Sequence, residues 1–530
     1  KTLGDLETRL LAMRDAMTHR GQDDAGLFVS GDGCVGLANR RLAIRDLSPA
    51  GHMPMGNEAC AEQGRSACTE QGRSDGTVWI TYNGEIYNTD ELRPELERLG
   101  YTFRSSSDTE VILHGYEAWG AEVVTRLRGM FAFAIYDARP SLARPRLFIA
   151  RDRLGIKPLY YARSGSGLLF ASELKGMLAS GLLSREISPT AVVAYLMTGS
   201  VPAPLTIYEG IEALEPGCAL TWDDGRVEVH RYWDFPYETV EPESYSKAVE
   251  QIRALLEESV RIRLVSDVPL GAFLSGGLDS SAVVALMRRG TRGPIRTCSM
   301  TFEESEFSEA PYARAAAEAV GAEHYERVIT AQNMADELER IFWAMDQPTI
   351  DGVNTYFVSQ TAREAGLTVA LSGLGGDELF GGYANTFQGV PQMLKVLSAV
   401  RAVPGAAALA EAAIGLLPDR QRWAKVKDAL SRPAYPASAY LARRGLFSPA
   451  EVESIVTSEV WHAAKSAFDP IRHIAERAET RSANGSGNQL FSWVSRAELR
   501  TYTHHQLLRD TDAMSMAHSL EVRVPLLDQR

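Results

Sequence analysis

Between residues 230 and 245 the hydrophobic pattern of this chain changes its period, and the change separates two architectures. Before it, short apolar runs follow one another between Gly and Asp turns: VWITYNG, MFAFAIYD, RLFIARD, GLLFAS and CALTWDDG. Strands this short and this close pair most readily with their sequence neighbours. An antiparallel, sheet-rich domain is therefore expected over residues 1–232. After RYWDFPYETVEPE, helices alternate with apolar strands. The segment SYSKAVEQIRALLEESVRIRL spaces Tyr245, Val249, Ile252, Leu256 and Val260 along one helix face. A strand at 268–273, a helix at 279–289, the strand IRTCSMTF, a helix at 309–320 and the strand LTVALSG at 367–373 follow. That rhythm predicts an α/β domain over 233–530, a parallel sheet with helices on both faces. Beyond about residue 385 the pattern is mostly helical.

The balance of charges narrows the partners. With 55 Lys and Arg against 68 Asp and Glu, the formal net charge is −13. No nucleic-acid partner is expected, since phosphate backbones bind basic surfaces. No membrane partner is expected either. The longest apolar stretch, VPGAAALAEAAIGLLP at 403–418, is interrupted by Glu411, bounded by prolines and too short to cross a bilayer. It reads as a buried helix. Five cysteines, Cys34, Cys60, Cys68, Cys218 and Cys298, are an odd number without a CxxC pair. That usage predicts reduced thiols in the cytoplasm. The segment ACAEQGRSACTEQGRS at 59–74 writes one unit twice with a single change, Ala61 against Thr69. Polar and flanked by strands, it reads as an expanded surface loop rather than a metal site on Cys60 and Cys68.

Two small-residue loops stand at strand ends, LSGGLDSS (274–281) and SGLGGDELFGGY (372–383). In an open parallel sheet, ligands gather beyond the carboxyl ends of strands, so both loops can face one crevice. In the first, Gly276 and Gly277 let backbone N–H groups approach an anion, while Ser275, Ser280 and Ser281 offer hydroxyls. The start of the following helix favours negative charge. The chain has no GxxxxGK followed by Ser or Thr, so the loop that serves γ-phosphate transfer is absent. Asp279 and Asp377 add carboxylates able to hold Mg²⁺ against a polyphosphate. In the N-terminal half, NGE follows the strand VWITY and joins an amide side chain to a flexible backbone N–H. Asn83 and Gly84 can thus donate to a developing oxyanion. Arg41 offers a two-pronged grip on an amino acid's α-carboxylate, and Asp108 a partner for its α-ammonium.

SGGLDSS resembles the pyrophosphate loop of enzymes that cleave ATP between the α and β phosphates. The segments HRGQDDAG (19–26), RRLAIRDLSPAGHMPM (40–55), YNGEIYN (82–88), SSDTE (106–110), GMFAFAIYD (129–137), RDRLGIKPLYY (151–161) and FASELK (170–175) resemble the asparagine synthase glutaminase domain, in the same order. SGLGGDELFGGY and SMAHSLEVRVPLLD (515–528) resemble the synthetase domain of the same family. On these motifs the chain is identified as a member of the glutamine-hydrolysing asparagine synthases.

The resemblance implies an α+β, Ntn-hydrolase-like class II glutamine amidotransferase domain over 1–232, with antiparallel sheets layered with helices. It implies an α/β ATP-pyrophosphatase domain over 233–530. The activity implied is that of an AMP-forming carbon–nitrogen ligase using ATP, Mg²⁺, glutamine and aspartate in the cytoplasm, with a homodimer as one possible assembly. The glutamine pocket would comprise Arg41, Leu42, Ala43, Ile44, Arg45, Asn83, Gly84, Glu85 and Asp108, with Asn83 and Gly84 as the oxyanion hole. ATP would be held by Leu274, Ser275, Gly276, Gly277, Asp279, Ser280, Ser281, Met300, Ser372 and Gly373, with Asp279 and Asp377 on the metal. Ammonia would pass between the domains through an internal tunnel.

The chain departs from the family in three places. The family's nucleophile is an amino-terminal cysteine, whereas this sequence begins KTLGDLETRL. Its earliest cysteine, Cys34, falls in the apparent strand CVGLANR and reads as a packed residue. The family's opening segment is therefore expected to be missing from the beginning. A segment with a catalytic lysine is likewise expected beyond PLLDQR. Finally, Leu374 stands where the family usually has the Glu that acts in acyl-adenylate formation. An apolar residue there motivates an alternative acceptor for the same chemistry, a sugar acid or a natural-product precursor. His504 and His505 in THHQLLRD point to different helix faces, poor geometry for a metal, and read as part of a packed or solvated helix.

Overall fold

In chain order the strands of the N-terminal half are β1 (Asp24–Val29), β2 (Gly36–Arg41), β3 (Met55–Gly56), β4 (Val78–Ile86), β5 (Gly129–Asp137), β6 (Arg146–Arg151), β7 (Tyr160–Ser164), β8 (Gly167–Ala171), β9 (Ile211–Ala213), β10 (Cys218–Asp223) and β11 (Arg226–Arg231). They come from a computed structural model that describes residues 3–57, 77–236, 243–303, 309–416, 420–478 and 487–530. The duplicated segment at 59–74 lies outside those residues. Three antiparallel sheets result: β1-β2, β11-β10-β6-β5-β4-β3 and β8-β7-β9. Alternation along β5 explains the layering. Phe131, Phe133 and Ile135 pack on Leu92, Leu96, Val111, Ile112 and Tyr116 of the helices Thr89–Arg98 and Asp108–Trp119. Ala132, Ala134 and Tyr136 face the other way, toward Phe28 and Leu37. Both faces are buried, which is why MFAFAIYD reads as an almost unbroken apolar run.

In the C-terminal half, β12 (Leu270–Phe273), β13 (Arg296–Phe302), β14 (Glu323–Ile329), β15 (Val369–Leu371) and β16 (Glu521–Arg523) form one parallel sheet in the order β14-β13-β12-β15-β16. The chain moves outward from β12 through β13 to β14, then returns to the opposite side of β12 as β15. The strand order reverses there. The loops after β12 and β15 consequently leave the same edge of the sheet side by side, the place where open α/β sheets bind ligands. The pattern predicted β12, β13 and β15. It missed β14, whose EHYERVI is an edge strand with charged residues, and β16, whose three residues are too few to display a period.

Two helix expectations need correction. Tyr245–Ile262 is helical, but only the later part of its apolar stripe is covered: Leu256 and Val260 join the core while Tyr245, Val249 and Ile252 are exposed. The helix Ala406–Gly415 forms within 403–418 but lies on the surface rather than inside. Ala410 and Ile414 touch a neighbouring core, whereas Leu409 is 74% exposed.

Charged side chains buried between the halves hold them together. Arg20 donates to Glu173 Oε1 at 2.8 Å and to Asp512 Oδ2 at 2.6 Å, and Lys157 Nζ reaches Asp512 Oδ1 at 3.2 Å. Beside them, Tyr87, Met130 and Ile156 from the first domain pack with Leu508, Val524 and Leu527 from the second. Removing one member of a buried ion pair leaves its partner charged and unsolvated, a loss of about 3–5 kcal/mol. Arg20→Ala is expected to lower the melting temperature accordingly, measured by calorimetry. Burial opposes ionisation of Glu173, but Arg20, aided by His19 and Lys175, overcomes it and holds the carboxyl well below its ordinary range. A depressed acid contributes stability above its unfolded pKa, about 4.3 for Glu. That contribution is lost as the pH falls further toward the folded value. Thermal stability should therefore drop below about pH 4.3, and the slope should be shallower in Arg20→Ala.

Candidate functional site

A cavity of about 890 Å³ opens against β4 in the N-terminal domain. Arg41, Leu42, Ile44, Arg45, Asn83, Gly84, Glu85 and Asp108 all line it. Ala43 does not: its N–H donates to Asp23 Oδ2 at 2.8 Å. Asn83, Gly84 and Glu85 do not follow a strand as expected, because β4 runs through them to Ile86. Sheet geometry then aims the Gly84 amide. Its cross-strand partner Phe131 turns its own N–H and C=O toward Asp152, at 3.2 and 2.8 Å. Antiparallel pairs alternate between bonded and non-bonded, so Gly84 is a non-bonded partner and its N–H points off the free side of β4. Its neighbours on that side are engaged: Tyr82 O accepts from Asn39 Nδ2 at 3.1 Å, and Ile86 N donates to Asp108 Oδ2 at 2.9 Å. The Gly84 N–H is left to the cavity. With φ at +154°, and with a side chain there set to collide with the Met130 carbonyl, position 84 admits only glycine. Beside it, Asn83 Nδ2 donates to Ser172 Oγ at 3.4 Å.

The charges around this cavity are unevenly satisfied. Arg41 is buried and donates to the carbonyls of Arg45, Asp46 and Ser48, with no carboxylate paired to it among the described residues. Burial raises Asp108 despite the opposing charge of Arg45; its Oδ2 accepts from Tyr82 and Ile86. Glu85 bridges two arginines, accepting from Arg45 at 3.0 Å and from Arg523 at 3.1 Å. Burial still pushes it up to about 8, with Asp108 and Glu521 adding to the effect. Cys34 is a correction. It is exposed in the turn before β2 and borders the cavity instead of packing within a strand.

The second site lies at the strand reversal. Gly277 precedes the helix Leu278–Gly290, so the first loop ends on free helix N–H groups. Ser275 Oγ lies 3.0 Å from Ser280 Oγ and accepts from Gly277 N at 3.2 Å. Gly276 has φ +87°, and a Cβ there would come within 2.5 Å of Ala313 N. The two loops touch as anticipated. A Cβ at Gly373 would sit 2.6 Å from Ser280 N, and one at Gly376 would collide with the Asp279 carboxylate. Asp377, on the short helix Gly376–Phe380, stands close enough that burial and its charge together raise Asp279 above the ordinary carboxylate range. Two neighbouring carboxylates beside a phosphate-type loop match the way Mg²⁺ is held, by one or two carboxylates plus phosphate oxygens. Leu274 is buried and its N–H donates to Cys298 O at 2.9 Å; Met300 packs near Ile329 and Tyr356. Ser372 donates its N–H to Arg523 O at 2.8 Å.

Leu374 is partly buried against the apolar cluster between the domains. His504 and His505 are buried with ring centroids 4.7 Å apart, packed as expected. Sequence reasoning missed the residues that join the two sites. Met516 and Glu521 of the second domain line the first cavity, and Arg523 ties Glu85 to the base of the second loop. The available signal was the density of charge in SLEVRVPLLD, too polar for a buried strand without fixed partners.

A family model described as a glutamine amidotransferase domain matches residues 2–233, and one described as asparagine synthase matches residues 251–530. Asparagine synthetase [glutamine-hydrolyzing] 1 of Bacillus subtilis (strain 168) is 34% identical over 529 residues, covering 99% of this chain and 77% of that protein. A putative asparagine synthetase [glutamine-hydrolyzing] 2 of Methanocaldococcus jannaschii is 38% identical over 403 residues, with 73% and 76% covered. The amidase chry2 of Gibberella zeae is 32% identical over 404 residues, with 72% and 55% covered. The chain belongs to the asparagine synthase family, joining a glutamine amidotransferase domain to an asparagine synthase domain.

Proposed function

We propose that this chain makes asparagine from aspartate, with glutamine as nitrogen donor and ATP cleaved to AMP and pyrophosphate through an acyl-adenylate. The observation that carries this reading is the contact between the two loops at the strand reversal, with Asp279 and Asp377 adjacent and Gly373 against Ser280. Its division of labour follows the two domains, 1–232 for glutamine and 233–530 for ATP and the acceptor. Buried, unpaired Cys218 and Cys298 suit a reducing compartment such as the cytoplasm.

In the first domain, Arg41 takes the α-carboxylate of glutamine, because its own charge lacks a carboxylate partner among the described residues. Asp108 takes the α-ammonium, which relieves the cost of its burial. When the thiolate of the family's amino-terminal cysteine, a residue this sequence does not show at its start, adds to the side-chain amide carbon, Asn83 Nδ2 and the Gly84 N–H donate to the oxyanion that develops. Such a donor lowers the barrier by about 2.7–4 kcal/mol. In the second domain, Ser275, Gly276, Gly277, Ser280 and Ser281 bind the pyrophosphate as it leaves. Asp279 and Asp377 would hold Mg²⁺, which would supply positive charge against the phosphates. Leu374 gives a second reading its support: its side chain rests on apolar residues, where the family usually places a carboxylate. The same chemistry would then serve a different carboxylate acceptor.

Pyrophosphate release decides between the two, measured with ATP, Mg²⁺ and ammonium in place of glutamine. Aspartate-dependent release with asparagine as product is the expected outcome; release only with other carboxylates would replace aspartate as the acceptor. Gly376→Ala is expected to displace the Asp279 carboxylate and raise the Mg²⁺ concentration needed for half-maximal release about tenfold or more, about 1.4 kcal/mol. An unchanged Mg²⁺ titration in that variant would remove Asp279 from the metal.

A further inference from the structure

At the strand reversal the second loop forms one wall of the crevice, where Gly373 and Gly376 rest on Ser280 and Asp279. The opposite wall is the first turn of the helix Ala310–Val320. That helix joins β13 to β14 in a parallel sheet, so it starts at the carboxyl edge, where the first loop leaves β12. The contact is close. A Cβ at Gly276 would come within 2.5 Å of Ala313 N and 2.7 Å of Tyr312 Cβ, so only a glycine lets the loop lie on this turn. Side chains of a helix tilt toward its N-terminus, which carries Tyr312 toward the crevice. Its backbone N–H is used within the turn, donating to Glu309 O at 3.0 Å. Its ring is not packed away. Tyr312 is 69% exposed, and its hydroxyl has no hydrogen-bond partner among the described residues.

The two loops are short of donors for a highly charged anion. Segments 274–281 and 372–383 carry three carboxylates, Asp279, Asp377 and Glu378, and no Lys or Arg. The hydroxyls of Ser275 and Ser280 lie 3.0 Å apart, so one of their two protons is spent between them. Backbone N–H groups and the remaining hydroxyls hold what is bound there. We propose that the Tyr312 hydroxyl is a further binding group for pyrophosphate, donating to it from the wall opposite the second loop. This inference rests on reading the first loop as the pyrophosphate site. In the reaction, a carboxylate oxygen of the acceptor bonds to the α-phosphorus of ATP. The bond from that phosphorus to the bridging oxygen breaks, and its electron pair stays on the departing pyrophosphate. Charge grows on that group, and a fixed O–H donor strengthens with it while keeping its proton. A neutral phenol adds this donor without a cation beside the two aspartates.

Calorimetric titration of inorganic pyrophosphate with Mg²⁺ into the full chain tests the proposal without turnover. Tyr312→Phe keeps the ring and removes only the hydroxyl. Its affinity for pyrophosphate is expected to fall about tenfold. Its melting temperature is expected to stay that of the unsubstituted chain, because the residue is exposed and its hydroxyl unbonded. Tyr245→Phe, a like change at another exposed tyrosine on the helix Tyr245–Ile262, is expected to bind as the unsubstituted chain does. Undiminished affinity in Tyr312→Phe would overturn the proposal, and weakening in Ser275→Ala alone would leave the reading of the first loop standing. Absence of pyrophosphate binding by the unsubstituted chain would overturn that reading and the proposal with it.

Discussion

Arg523 has no exposed surface, and its guanidinium joins three segments of the molecule. It donates to Glu521 at 2.8 Å, to the carbonyls of Arg263 and Val265 at 2.8 and 2.6 Å, and to Glu85 at 3.1 Å. Its own carbonyl accepts from Ser372. A buried cation tolerates no missing partner, because an unpaired charge in the interior costs several kcal/mol. The strand β16, the start of the second loop and the floor of the glutamine-side cavity must therefore assemble together around it. Arg20, between Glu173 and Asp512, repeats the device a few elements away. Apolar packing of Tyr87, Met130 and Ile156 on Leu508 and Leu527 supplies the driving force between the domains, while the charges fix the register.

Within that frame the two sites use opposite means to create reactivity. The first leaves donors unspent: the Gly84 amide by the alternation of the sheet, and the Arg41 charge by surrounding it with carbonyls instead of carboxylates. The second brings like charges together, Asp279 against Asp377, where a cation would compensate them. Glycine makes both possible. Gly84 lets β4 lie against Met130, and Gly373 and Gly376 let one loop rest directly on the other.

Much of this was legible without coordinates. The long strands of the first domain and the β12, β13 and β15 core of the second announce themselves by period, and the two loops by composition. Less visible were elements whose identity depends on neighbours. β16 is three residues of mixed charge, and only pairing with β15 makes it a strand. NGE resembles a turn, and only β5 beside it keeps it extended. Cys34 reads as apolar and packed until the turn before β2 places it at the surface. The apolar stretch at 403–418 predicts burial, yet its helix meets the core along one narrow face. Hydrophobicity says that a segment can be buried, not that a partner exists to bury it.

The sequence by itself determined the two-domain plan, the antiparallel and parallel halves, and the residue types at each site. These follow from local periodicity and from side-chain chemistry, which travel with the chain wherever it folds. Tertiary structure alone decided which charges meet. Arg20 finds Asp512 across 492 residues, and Glu85 finds Arg523 across 438. It also aimed the Gly84 amide and set Asp279 beside Asp377, because direction and distance between remote segments are properties of packing, and no local pattern encodes them.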